Sequence, residues 1–389
     1  MKKIATAILF LAICLAARAQ KFDYNVNFDY ILGNYEYDAS GERYHDSYTI
    51  HAVRLTPEVG LLLPQSKHVF HRLRVGADFV HNMGEGAPLK SLPVELILYY
   101  SLEARFPGGG SLFAAVGNYP RRYLENDSYR TVFFDDDILY QDSNLEGLMV
   151  KYSRGNRIEA ELALDWSGKL GDAENPLRRE RFQILTRGSW RFASDFYLSW
   201  TGSFYHYACS PTCPNVVDNH MLYPRLEWKP FTWMDEFSLS VGGIFTYQCD
   251  RAVSMKPSLP MGLSLEQVVG KWGLSLRNRL YWGEDLMPFF DSSFNGQPYG
   301  RSLYFADTAF HTCISAPSWA DWLSLRYEPR ITKWLRAGAE FTFQLGDNSR
   351  YDGSIFRGWQ QSLRLVLDLD PLRPHPAQPS RHKRFGLTL

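Results

Sequence analysis

The sequence predicts an all-β fold, a transmembrane antiparallel β-barrel of about sixteen strands, and three observations carry that prediction. Segments of roughly ten residues alternate apolar and polar positions along the whole chain, which marks strands with one oily face and one wet face. No segment sustains the 3.6-residue period of an amphipathic helix, so no helix is expected once the amino-terminal segment is set aside. Connections alternate between short turns and long loops, as in barrels whose two ends face different compartments.

The amino-terminal segment is a signal for export. Lys2 and Lys3 precede an apolar run from Ile4 to Ala17, and Ala17-Arg18-Ala19 supplies the small residues of a cleavage site, so residues 1–19 read as a secretory signal peptide. The run is too short for the roughly 20 residues of a spanning helix. A lipoprotein anchored through Cys14 is disfavoured by Ile13, where a small residue is expected. No later stretch is apolar and long enough to cross a bilayer as a helix, which leaves a soluble exported protein or a barrel. The chain holds 42 Lys plus Arg against 42 Asp plus Glu, and that balance argues against a nucleic-acid partner.

The strands follow in order. Phe22, Tyr24, Val26, Phe28, Tyr30 and Leu32 alternate with Asp23, Asn25, Asn27 and Asp29. Val53, Leu55, Pro57, Val59 and Leu61 come next, then Val69, Leu73, Val75, Ala77 and Phe79, with Arg54, Glu58, Arg72, Arg74 and Asp78 on the opposite faces. The pattern returns at Val94–Leu102, Ile158–Trp166, Phe196–Phe204, Phe237–Tyr247, Leu274–Trp282, Leu335–Leu345 and Trp359–Leu369. Burying so many charges in a dry core would cost several kcal/mol each, so the polar face must see water. The apolar face ends in Trp166, Trp190, Trp228, Trp282 and Trp359, and aromatic girdles flanking an apolar band point to a membrane. Closure follows because a sheet edge left open in lipid has unsatisfied backbone groups.

With the amino terminus on the periplasmic side, short turns fall near 64–68, 106–111, 153–156, 193–195, 229–234, 270–271 and 329–333. Longer loops fall near 38–46, 82–90, 119–143, 167–179, 207–219, 250–258, 284–318 and 346–356. The barrel then occupies residues 20–370, and 371–389 form a proline-rich tail or a final strand. Counting Tyr304–Thr312 and the alternation of Phe385, Leu387 and Leu389 as strands gives eighteen instead, also an even number.

Four cysteines remain after export, Cys209, Cys213, Cys249 and Cys313, all in or beside external loops and so in an oxidising compartment. Four thiols allow three pairings; Cys209 with Cys213 and Cys249 with Cys313 is the expected set, since the first is local. A metal would need tighter His or Cys spacing than His206 and His220 provide, so neither metal nor cofactor is expected. No G-x-S-x-G, H-E-x-x-H or G-K-[ST] motif occurs, and Gly84 and Gly86 are followed by Leu89 where a third glycine would stand. A hydrolase at the barrel rim would have to use His81, or His206 with Asp218, and scattered histidines offer such pairs by chance.

Residues 119–143 read YPRRYLENDSYRTVFFDDDILYQDS. A loop this long is uncommon unless it is functional. It lies on the surface as a solvated excursion, or it folds inward with Phe133 and Phe134 packed on the wall and Asp135, Asp136 and Asp137 facing a cationic stripe. Arg54, Arg72 and Arg74, on the wet faces of neighbouring strands, supply that stripe, and opposed rows of charge set ion preference in a narrow channel. The same arginines would otherwise brace the wall through Glu58 or Asp78.

Signal peptide, alternating strands and a long acidic third loop together make the chain similar to the bacterial outer-membrane general porins. The resemblance covers the whole exported region as architecture and has no diagnostic motif. It implies a pore narrowed by the third loop, with Asp135, Asp136 and Asp137 opposite Arg54, Arg72 and Arg74, and a trimeric homo-oligomer in outer-membrane lipid. The chain departs from the family in ending on Leu389, where many such barrels end on Phe, and in the tail after the last strand. The expected function is passive diffusion of small hydrophilic solutes with weak ion selectivity, because basic and acidic residues alternate into the lumen in near balance. Its rivals are a barrel that anchors capsular polysaccharide or serves secretion, suggested by Pro288-Phe289-Phe290 and Tyr299 in an external loop, and a rim hydrolase.

Overall fold

The computed structural model describes residues 21–37, 47–84, 94–168, 180–208, 216–230, 233–311, 317–329, 331–347 and 355–369, and of Asp137 the backbone alone. The signal peptide and the segment 370–389 lie outside the described residues. The chain runs through β1 (Lys21–Tyr37), β2 (Tyr48–Pro64), β3 (Val69–Asn82), β4 (Val94–Phe106), β5 (Gly110–Pro120) and β6 (Asn144–Arg154). It continues through β7 (Ile158–Gly168), β8 (Glu180–Arg191), β9 (Phe196–Ala208), β10 (Val216–Trp228), β11 (Glu236–Asp250), β12 (Met261–Lys271) and β13 (Leu274–Gly283). A small hairpin, β14 (Ser293–Phe294) and β15 (Gln297–Pro298), interrupts the series before β16 (Ser318–Tyr327), β17 (Leu335–Gly346) and β18 (Phe356–Leu369).

Apart from that hairpin the strands form one closed antiparallel barrel of 16, each bonded to the next. The ring is shut by β1 against β18, in register from Val26 with Leu369 to Tyr37 with Gly358. The eighteen-strand count fails at 304–311, which holds a 3₁₀ turn at Thr308–Phe310 rather than a strand. Closure at Leu369 needs nothing beyond it. Turns fall at the short connections read from the sequence. The tightest is Trp272-Gly273, with φ of 55° and 82°, the two positive values of a type I′ hairpin.

Burial is inverted relative to a soluble fold. On β1 Asp23 is 0% exposed and its neighbour Phe22 68%; on β2 and β3 Arg54, Glu58 and Arg74 are buried while Leu55, Val59, Leu73 and Val75 are exposed. Exposed tryptophans gather at the two ends of the apolar band. Trp190, Trp228, Trp233, Trp272 and Trp334 lie at the short-turn end, and Trp166 and Trp282 at the long-loop end. A closed barrel with this exterior spans an outer membrane, because pairing round the whole ring leaves no open sheet edge and the exposed outer band is mostly apolar.

Two expectations need correction. Short helices do occur, at Asn126–Tyr129 and Asp136–Gln141; segments this brief show no 3.6-residue period, and the second is set by Asp135, whose carboxylate accepts from Ile138 N at 2.8 Å. The lumen, moreover, is not wet throughout. Ile97, Leu145, Met149, Ala163, Leu185, Met221 and Ile244 point inward and form one buried apolar cluster with residues of two inward-folded loops.

Candidate pore constriction

The first of these loops, residues 121–143, leaves β5 through a 3₁₀ turn at Arg121–Tyr123. Arg121 pins its neck: Nε donates to the Asp142 carbonyl at 2.5 Å, the guanidinium pairs with Asp165 at 3.5 Å, and Arg121 N bonds the Ser143 carbonyl at 2.7 Å. The guanidinium also lies 5.2 Å from the centre of the Phe134 ring. Arg122 pairs with Glu58 on β2, and the Tyr123 hydroxyl meets Tyr99 at 2.8 Å and Arg74 at 3.2 Å. Lys151 on β6 donates to the Tyr123 carbonyl at 2.6 Å, and Tyr129 donates to Glu161 on β7 at 3.1 Å.

The loop then crosses the barrel. Arg130 pairs with Asp136 at 2.6 Å within the loop and with Glu340 on β17 at 2.7 Å. Arg279 on β13 donates to the Arg130 carbonyl at 3.0 Å, and the Tyr35 hydroxyl on β1 donates to Asp136 at 3.3 Å. Thr131, a β-branched residue held at φ 73°, sits at the sharp bend; its carbonyl accepts from Asp307 N at 3.0 Å. Asp307 belongs to the second inward loop, described over 284–311, which also accepts from Asp135 N at the Phe305 carbonyl, at 2.6 Å. Val132, Phe133, Phe134, Leu286, Met287, Phe290 and Phe310 are buried where the two loops meet the wall.

Between the loops and the wall from β12 round to β2 lies a cavity of about 150 Å³. Its lining holds the carboxylates of Asp127, Asp135, Asp136, Glu266, Asp307 and Glu340 and the guanidinium groups of Arg130, Arg277 and Arg279. Tyr35, Tyr37, Tyr48 and Trp322 complete one side. Acids outnumber bases, so the cavity carries negative potential.

Among the described residues neither Asp135 nor Asp136 is seen to pair with the three wall arginines. Arg54 pairs with Asp78 at 3.3 Å and bonds the Tyr140 carbonyl; Arg72 pairs with Glu103 at 3.3 Å; Arg74 pairs with Asp23 at 2.6 Å and Glu58 at 3.7 Å. Acids one or two strands away hold these guanidinium groups, and Arg54 and Arg74 are buried. Asp135 and Asp136 do line the cavity, and nothing is described of the Asp137 side chain. Arg130 stood in the loop sequence, and Arg277, Arg279 and Glu340 stood at inward positions. Asp307 gave no signal, because its segment has neither alternation nor a motif.

Cys249 is a buried free thiol with Sγ 3.7 Å from the Ser254 carbonyl; Cys209, Cys213 and Cys313 lie outside the described residues. His206 Nδ1 meets Asp218 at 2.7 Å on the outward face of β9 and β10, where Arg251 also takes Asp218 at 3.1 Å. His81 sits on β3 opposite Val53, also outward.

Burial alone would raise the Asp136 carboxyl, but the Arg130 guanidinium outweighs it by charge and hydrogen bonds and holds it below the usual carboxylate range. A depressed group stabilises the docked loop fully above the value of a free Asp, about 4, and loses that contribution as pH falls through the depressed value. Channel conductance should therefore stay level from pH 7 to about pH 5 and change only below about pH 4; a transition near neutrality would assign loop docking to another group.

No family model and no curated protein matches the chain. Among solved structures, in-vitro folded OmpT, an outer membrane protein of Vibrio cholerae, aligns over 90% of this chain and 98% of its own at 12% identity, with a TM-score of 0.49. Salmonella typhi OmpF in complex with daunomycin aligns over 90% and 98% at 10% identity, TM-score 0.48. OccAB3 of Acinetobacter baumannii aligns over 90% and 99% at 11% identity, TM-score 0.43. The fold assignment rests on the strand pairing and the inverted burial of the chain itself.

Proposed function

We propose that the chain is an outer-membrane channel for passive diffusion of small hydrophilic solutes, narrowed by residues 121–143 and favouring cations. One observation carries this reading: the loop crosses the barrel and packs apolar residues against one wall, yet leaves against the other a gap whose carboxylates outnumber its guanidinium groups. Mixed charge at a constriction sets which ions pass. Purified protein in planar bilayers should give ohmic current and, in a salt gradient, a reversal potential of cation-selective sign. Changing Asp135, Asp136 and Asp137 together to Asn should move that potential toward anions while keeping the helix cap, since Asn caps as well as Asp. Absence of current would end the channel reading, and an unchanged potential would remove the acidic run from the narrowest section.

The apolar filling of the remaining lumen favours a second reading, a barrel that anchors polysaccharide or serves secretion. Its external stacking platform is weakened, because Phe289, Phe290 and Tyr299 are turned inward and are all under 9% exposed.

A further inference from the structure

Two guanidinium groups in the cavity wall use little of their hydrogen-bonding capacity. The arginines that hold the constricting loop are spent: Arg74 places Nε, Nη1 and Nη2 on Asp23, Tyr99 and Tyr123, and Arg130 places all three nitrogens on Asp136 and Glu340. Arg277, by contrast, gives only Nη2, to Glu236 at 3.3 Å, and its Nε is buried with no acceptor. Arg279 gives Nε to Glu266 Oε1 and Nη1 to the Arg130 carbonyl, both at 3.0 Å, and its Nη2 makes no hydrogen bond among the described residues. Glu266 stands directly opposite Arg279 on β12. Its Oε1 also accepts from the Tyr223 hydroxyl at 2.7 Å, while Oε2 has no hydrogen bond among the described residues. All three side chains line the cavity. Arg277 and Arg279 alternate onto one face of β13, about 7 Å apart along the strand, so two cations and one anion with unspent groups share a single patch of wall.

We infer that this patch is a binding site for the head group of an α-amino acid, its carboxylate taking donors from Arg277 and Arg279 and its ammonium donating to Glu266 Oε2. A guanidinium offers five donors and a carboxylate about four acceptor positions, so the unspent groups match both charges of that head group. A ligand with one charge matches less well. Glu266 repels a simple anion, and Arg277 and Arg279 repel a simple cation, so each leaves an opposing charge unanswered. Two separate ions would answer both, but a molecule that carries both charges on one carbon makes its second contact at high effective concentration. The inference rests on the channel reading, since the solute reaches this wall through the lumen, and it names the class of solute that pauses there. Binding at equilibrium is read without current, so failure of the site and failure of the channel are separate results.

The test titrates the full chain, folded in detergent micelles, with L-alanine and with its two one-charge relatives, propanoate and ethylamine, by ligand-observed nuclear magnetic resonance. Alanine should bind saturably and about tenfold or more tighter than either relative, the size expected for one charged hydrogen-bonded contact. Glu266→Gln keeps the oxygen that Arg279 and Tyr223 use; it should weaken alanine by a similar factor and tighten propanoate. Arg277→Gln should weaken alanine and tighten ethylamine. These opposite responses separate a lost charge from a lost fold, which would weaken every ligand alike. Arg191→Gln, which removes a guanidinium spent on the Ser194 carbonyl at a short turn, should bind alanine as the wild type does. Alanine held no tighter than its relatives, a uniform loss of all three ligands in both cavity variants, or an equal loss in Arg191→Gln would each overturn the proposal.

Discussion

Phe134→Ala should raise single-channel conductance several-fold while leaving the barrel folded. The ring is 1% exposed and lies in the apolar cluster that joins residues 121–143 to the wall and to the second inward loop, with its centre 6.2 Å from that of Phe305. Truncating a buried Phe costs about 3–5 kcal/mol through lost transfer energy and a residual cavity. A loop is held by fewer contacts than a strand, so a loss of that size falls on docking and spares the strand ladder. The polar pins at Arg130 and Arg121 remain, but they orient the loop without supplying the apolar burial that keeps it inside. Conductance equal to wild type, with cation preference unchanged, would mean that solutes pass elsewhere or that the loop is not the narrow section.

The barrel was legible in the sequence because its physics repeats: Asp23 beside Phe22 on β1 obeys the same rule as Arg279 beside Leu280 on β13. A period of two identifies each strand, and alternating connection lengths separate the two ends, so closure followed without any long-range information, and the strand number followed down to sixteen or eighteen. The constriction was legible only in part. The length of residues 119–143, and Phe133 beside Phe134, pointed to a loop that folds inward. Which charges it would meet was hidden, because a strand pattern says that Arg54, Arg72 and Arg74 face the lumen and not that acids on neighbouring strands reach them first. Asp23 sits two strands from Arg74 in the ring, and only the tilt and stagger of a closed barrel bring them together. Asp307 was hidden more deeply, since it acts through a loop crossing that no local period records.

Arg74→Ala should produce the largest loss of barrel stability of any single lumen substitution considered, on the order of 3–5 kcal/mol, because removing one partner of a buried pair leaves the other charge uncompensated. Arg74 is 1% exposed and donates Nε and Nη2 to Asp23 at 2.6 and 2.9 Å. Asp23 itself is fully buried, and its next cation, Arg72, is 3.9 Å away. The same guanidinium reaches the Tyr123 hydroxyl at 3.2 Å, so its loss also loosens the neck of the constricting loop. Arg74→Lys should recover part of the stability, since charge returns without the two-pronged geometry. Arg326→Ala, whose bridge to Glu328 is partly exposed at the short-turn end, should cost no more than about 1 kcal/mol. The readout is the temperature at which the barrel changes from folded to unfolded mobility on denaturing gels. Equal temperatures for Arg74→Ala and Arg326→Ala would show that water reaches Asp23, and that the space behind the loop is open rather than sealed.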